Sequence, residues 1–137
     1  MALIVICVTG PPNTGKSDTI RTFTADHLKY EKAKGDVLGV FPMSQRNYAV
    51  GVNGYGDNRK VVKDGLEFLD CYDGLMAVVV VSRSHGETFQ EVERFAERKG
   101  ATVRRIFTKA INGGRAQKAA IRANVREVMR LMPGRQR

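Results

Sequence analysis

The amino-acid sequence predicts a three-layer α/β/α fold, a mainly parallel sheet of about five strands with helices on both faces, and two observations carry that prediction. Residues 3–9 (LIVICVT) and 75–82, the latter with four consecutive valines, are apolar without polar alternation, the pattern of strands buried on both faces. Between and after them, apolar residues recur at helical spacing, so strands and helices alternate along the chain as a parallel sheet requires.

Each element follows from its residues. After the strand at 3–9, residues 10–15 hold two prolines and two glycines, which excludes regular structure, and residues 16–30 then place Ile20, Phe23 and Leu28 on one helix face. Residues 36–42 and 48–53 are short β-branched runs joined by a polar link, 43–47, which predicts an antiparallel hairpin. Gly54-Tyr55-Gly56-Asp57 reads as a turn. Val62, Leu66 and Leu69 then mark a helix over 58–71, with Gly65 a weak point inside it. Beyond the strand at 75–82, Ser84-His85-Gly86-Glu87 has the spacing of a capping box, in which Ser84 and Glu87 would satisfy backbone donors at a helix start. That helix turns Phe89, Val92 and Ala96 inward and stops before Gly100. Residues 102–107 form a third parallel-strand candidate, and 115–131 a last helix with Ile121, Val125, Val128 and Met132 as its apolar stripe.

With 137 residues, the chain suffices for a single domain, 1–137, and is too short for two. Its longest apolar run, 2–8, falls far below the roughly 20 residues of a membrane span, and no basic residues precede it, so a cytoplasmic protein with no membrane contact is expected. Cys7 and Cys71 belong to no CxxC or Cys/His group and are expected to be buried free thiols. The net charge of +9 is unevenly placed: residues 98–137 carry twelve basic residues against Glu127 alone, whereas 1–97 hold eleven basic against thirteen acidic. A polyanionic partner is therefore to be sought at the C-terminal third.

The strongest signal for chemistry is Gly10-Pro11-Pro12-Asn13-Thr14-Gly15-Lys16-Ser17, which matches G-x-x-x-x-G-K-[ST], the Walker A pattern, between a buried strand and a helix. Gly10 and Gly15 permit backbone conformations and close approaches that let successive N–H groups ring a phosphate. The helix starting near Lys16 adds unsatisfied amides and the positive end of its dipole. Lys16 would reach the β- and γ-phosphates, and the Ser17 hydroxyl would coordinate Mg²⁺. The segment resembles the P-loop NTPase superfamily, and the resemblance implies that superfamily's fold, with Gly10 to Ser17 as the nucleotide-binding loop. Where many members carry a further hydroxyl residue touching the α-phosphate, this chain has Asp18. Its carboxylate suits the helix dipole but repels a triphosphate unless water or metal intervenes.

P-loop enzymes hold Mg²⁺ with help from a second acid at the end of a strand beside the loop strand. The strand at 75–82 ends in Ser82-Arg83-Ser84 and offers none, so Asp57 becomes the candidate metal partner. Its placement after a hairpin strand is similar to that of the metal-associated Asp in Ras-like small GTPases. As N-cap of the helix beginning at Asn58, Asp57 would have a second, structural use. The N-K-x-D guanine signature of those GTPases is not met: the corresponding stretch is Thr108-Lys109-Ala110-Ile111, with the Lys but no Asp, which favours ATP over GTP or low base selectivity. Arg83 and His85 follow the second buried strand, where a cation could stabilise charge during phosphoryl transfer.

On the last helix, Arg115, Lys118, Arg122, Arg126 and Arg130 recur every three or four residues and form a cationic ridge for nucleic acid or an acidic protein. The expected function is Mg²⁺-dependent binding and slow hydrolysis of a nucleoside triphosphate, with Lys16, Asp57 and Arg83 in catalytic roles and Ser17 and Asp57 at the metal. The alternatives are phosphotransfer to a small acceptor, as in nucleotide kinases, and a non-catalytic nucleotide-regulated module working through its basic helix.

Overall fold

The two valine- and isoleucine-rich segments pair with each other in the middle of one sheet. In the computed structural model, which describes residues 3–84 and 86–137, β1 (Ile4–Thr9) runs parallel to β4 (Leu75–Ser82) on one side and to β5 (Thr102–Phe107) on the other. β3 (Tyr48–Asn53) adds to β4 in parallel, and β2 (Leu38–Met43) closes the edge antiparallel to β3. The order is β2-β3-β4-β1-β5, a mainly parallel five-strand sheet with one antiparallel pair. The helices are α1 (Lys16–Leu28), α2 (Arg59–Asp70), α3 (Glu87–Lys99) and α4 (Gly114–Leu131).

Alternating side chains of the central strands feed two cores. Ile6, Val8, Val79 and Val81 meet Ile20 and Phe23 of α1 and Val125 and Val128 of α4, while Val5, Cys7, Val78 and Val80 meet Leu66 and Leu69 of α2 and Val92 and Phe95 of α3. One helix pair thus covers each face, and because both faces are buried the strands need no polar alternation. Each fully buried side chain of this size contributes about 1.5–3 kcal/mol.

Several boundaries differ from expectation for identifiable reasons. α1 stops at Leu28, because Lys29 turns left-handed (φ 56°) and the Tyr30 N–H then donates back to the Thr24 carbonyl at 3.0 Å. β2 begins at Leu38, which leaves Asp36 in the preceding loop. Gly65 is no weak point: a Cβ there would fall 2.2 Å from Asn53 Nδ2, so α2 lies this close to β3 only because the side chain is missing. The Ser84/Glu87 capping box does not form; the N-cap of α3 is Gly86, at φ 89° with no side-chain cap hydrogen bond. Cys7 is buried as expected, whereas Cys71 is exposed at the C-cap of α2, beyond the apolar stripe that seats that helix. Among the described residues, no helix is long and apolar enough to cross a membrane.

Candidate functional site

The 10–15 segment leaves the carboxyl end of β1 as a loop and hands over to α1 at Lys16. Asn13 and Gly15 take left-handed conformations, with φ of 60° and 83°, which fold the loop back over the helix N-terminus. Thr14 braces it from beneath: its buried hydroxyl lies 2.7 Å from the Pro11 carbonyl and 2.6 Å from Thr108 Oγ1, on the segment that follows β5. Gly10 packs against the same segment, where a Cβ would sit 2.1 Å from Thr108 Oγ1.

The two polar side chains ending the motif face different partners. Lys16 Nζ reaches across the loop and donates to the Gly10 carbonyl at 2.5 Å. Burial, together with repulsion from Arg83, lowers its pKa against the opposing attraction of Asp57. Ser17 Oγ donates to Asp36 Oδ1 at 3.1 Å. Asp36 escapes a reading that extends the hairpin strand to 36; the Gly35-Asp36 pair before the apolar run was the available turn signal. The loop holding Asp36 is tied to its surroundings through Lys32 Nζ on the Asp36 carbonyl and Arg21 Nη1 on the Gly35 carbonyl, both 2.7 Å. Asp18 forms an ion pair with Arg21 one turn along α1, which offsets its charge toward the loop.

Loop residues Pro12 to Asp18 line a cavity of about 360 Å³ that Gly56, Asp57, Arg83 and Gln117 complete. Lys16, Ser17, Asp57 and Arg83 are therefore brought together, but Asp57 arrives by an unexpected route. The antiparallel hairpin ahead of Asp57 forms as expected, but β4 stands between β3 and β1, so Asp57 follows a strand one removed from the loop strand, and neither neighbour of β1 carries an acid. The connection after β3 instead crosses the end of β4, where Gly56 lies so close that a Cβ would be 2.6 Å from Val81 Cγ1 and 2.8 Å from its carbonyl oxygen. Asp57 is not the helix cap: Asn58 fills that role, accepting from the Val61 N–H at 3.1 Å, and the Asp57 carboxylate stays exposed at the cavity. Arg83 is exposed at the same cavity, its backbone N–H held by Thr88 Oγ1 at 3.0 Å. His85 lies outside the described residues.

Two neighbouring cavities extend the site. One of about 650 Å³ shares Pro12, Asp57 and Arg83 and continues to Arg59 and the first turn of α3. The other, about 150 Å³, shares Thr14 and Gln117 and is walled by Phe107, Lys109, Ile111 and Ala120. Arg105, on β5, is a positioning residue that sequence reasoning missed. Its guanidinium stacks on Phe89 at 3.7 Å and Phe107 at 4.7 Å, and Nη2 donates to the Ser84 carbonyl, so it holds the segment carrying Arg83. In the buried chain Cys7–Ser82–Thr9 beneath it, burial pushes the Cys7 thiol up to about 11 against the Ser82 hydrogen bond and the nearby cations Arg105 and Lys16. On α4, Arg115, Lys118, Arg122, Arg126 and Arg130 are all exposed, and Arg130 pairs with Glu127.

Compared with known proteins, the chain matches no family model, no curated protein and no solved structure.

Proposed function

We infer that this chain binds a Mg²⁺–nucleoside triphosphate at the 10–17 loop, ATP in preference to GTP, and hydrolyses it slowly, as its resemblance to the P-loop NTPases implies. One observation carries the reading: the Lys16-Ser17 end of the motif shares a single cavity with Asp57 and Arg83, delivered from two other strand ends. The donor set fits Mg²⁺. A hydroxyl that donates its proton to Asp36 keeps oxygen lone pairs for a cation, and Asp57 adds a free carboxylate. Among the described residues no group of three or more His, Cys, Asp or Glu is placed to hold a metal ion without phosphate or water oxygens.

Bound there, Mg²⁺ would offset the charge of the β- and γ-phosphates. Lys16 would exchange the Gly10 carbonyl for phosphate oxygens, the amides at the α1 N-terminus would donate to the same group, and Arg83 would face the charge that develops at the γ-phosphate. Asp18 is tied to Arg21 and Asp57 is needed beside the metal, which leaves no second carboxylate in this cavity to activate water and supports slow turnover. The 150 Å³ cleft supports the base preference, since its wall offers Phe107 and Ile111 for stacking and contact, Lys109 as a donor, and no carboxylate to recognise guanine.

Lys16→Ala tests the reading. Charge-assisted hydrogen bonds are worth about 1.5–3 kcal/mol, so titration with Mg²⁺–ATP should give roughly 10–150-fold weaker binding. Unchanged affinity for ATP and GTP would overturn it. The 650 Å³ cavity favours a second reading, transfer to a small acceptor seated beside Asp57 and Arg83. A product panel decides between them, phosphate release in water alone against phosphorylated acceptor.

A further inference from the structure

We propose that the outer face of α4 docks on the sugar–phosphate backbone of double-stranded nucleic acid, a function separate from the nucleotide site. α4 turns Val125 and Val128 into the core, and its opposite side presents Arg115, Lys118, Arg122 and Arg126, all exposed. Among the described residues, none of the four has an acidic partner within ion-pair distance, although like charges three and four residues apart cost helix stability. The other helix layer behaves differently: there Arg59 and Arg94 pair with Glu91, Lys60 with Asp64, and Arg98 and Lys99 with Asp70. On the α1–α4 layer Arg21 and Arg130 do pair, with Asp18 and Glu127, so the uncompensated cations of that layer's α4 face are the four of the row.

The geometry selects the polyanion. From Arg115 to Arg126 the row runs about 17 Å at 1.5 Å per residue, with a cation at each turn. That is a line of charge suited to a row of phosphates, and three of its four members are arginines, whose planar fork matches phosphate oxygens. Ala116, Ala119 and Ala123 are exposed beside the row, so no long side chain holds the helix away from a backbone or from a major groove about 12 Å wide. α4 carries no aromatic residue, which disfavours a single strand held by stacking. The acids Asp18 and Asp26 stand across the α1–α4 groove from Lys118 and Arg122; Asp18 is paired with Arg21, and Asp26 marks the limit of the surface on that side.

Fluorescence anisotropy with a labelled DNA duplex, repeated over a salt series, tests the proposal on the intact chain. Four phosphate contacts give a log–log salt slope of about −3.6, a weakening of roughly 150-fold between about 50 and 200 mM salt. Each of Lys118→Gln and Arg122→Gln should remove about 0.9 from that slope. Lys60→Gln and Arg98→Gln on the other layer should leave it unchanged. Lys16→Ala should also leave it unchanged, so failure of the nucleotide reading and failure of this one are distinguishable. A thermal melt by circular dichroism verifies that each variant is folded. The proposal is overturned by absent or salt-independent duplex binding, by a wild-type slope in the Lys118→Gln/Arg122→Gln double variant, by tighter binding to a single strand, or by equal binding to polyglutamate or anionic lipid vesicles.

Discussion

Ser17 and Asp36 meet at 3.1 Å across two segments that the sequence separates by a helix and a loop, and this contact puts a second acid beside the hydroxyl proposed to hold Mg²⁺. Asp57 lines the cavity that Ser17 also lines, exposed and free of any capping duty. Carboxylates that orient or support a metal typically govern 10–100-fold in metal affinity. Asp36→Asn and Asp57→Asn should therefore each weaken Mg²⁺-dependent nucleotide binding by about that factor, while binding in chelator stays as in the wild type. Neither side chain is buried, so both variants should fold. A Mg²⁺ titration unmoved in both would remove the two acids from the site. That residues of the 10–17 segment line one cavity was legible because they are contiguous, whereas Asp36 was not, since its partner lies nineteen positions away and the contact exists only after α1 turns back on its loop. The choice of Asn58 over Asp57 as cap was equally hidden, because both residue types cap well and only the crossing of Gly56 over Val81 sets the register.

At the scale of elements, the strands were legible wherever burial on both faces removed polar alternation, and all five fall within two residues of the expected bounds. Their order was not, because helical crossovers permit several arrangements and only packing places β4 between β3 and β1. Nor was the tie between α2 and α3: Glu91, 6% exposed at its side chain, accepts from Arg59 at 2.9 Å and from Arg94 at 2.6 Å. Burial alone would raise its pKa, but the hydrogen bonds and charges of Arg59 and Arg94 outweigh that and hold it below the ordinary carboxylate range. A depressed carboxyl contributes stability that is present above its unfolded pKa and is lost as pH falls through its folded one. Glu91→Gln should then cost roughly 1–3 kcal/mol at neutral pH, and the deficit should shrink once pH falls below about 4.5. Urea unfolding at several pH values measures it, and a deficit independent of pH would return Glu91 to a purely steric role.

For the whole molecule, the two cysteines make stability and ligand binding readable in one experiment. Cys7 sits in β1 between Val80 of β4 and Arg105 of β5, fully enclosed, with its thiol raised to about 11 and so protonated at neutral pH. A strand at the centre of the sheet opens with global unfolding, not by fraying, so a thiol reagent should reach Cys7 only through the unfolded chain. Cys71, exposed at the end of α2, should react at once and serve as the internal control. A ligand that binds only the folded chain slows labelling of the enclosed thiol by the factor 1 + [L]/Kd, about 100-fold at a hundred times Kd, or about 2.7 kcal/mol. Mg²⁺–ATP should therefore protect Cys7 and leave Cys71 untouched, and Lys16→Ala should lose that protection at the same ligand concentration. Duplex DNA should protect Cys7 in the wild type and in Lys16→Ala alike, because its surface on α4 does not include the loop lysine. Mass-spectrometric labelling rates resolve the two positions. If both thiols react at the same rate, the central placement of β1 is wrong; if saturating ATP leaves the Cys7 rate unchanged while Cys71 still labels first, the fold stands and the nucleotide site does not.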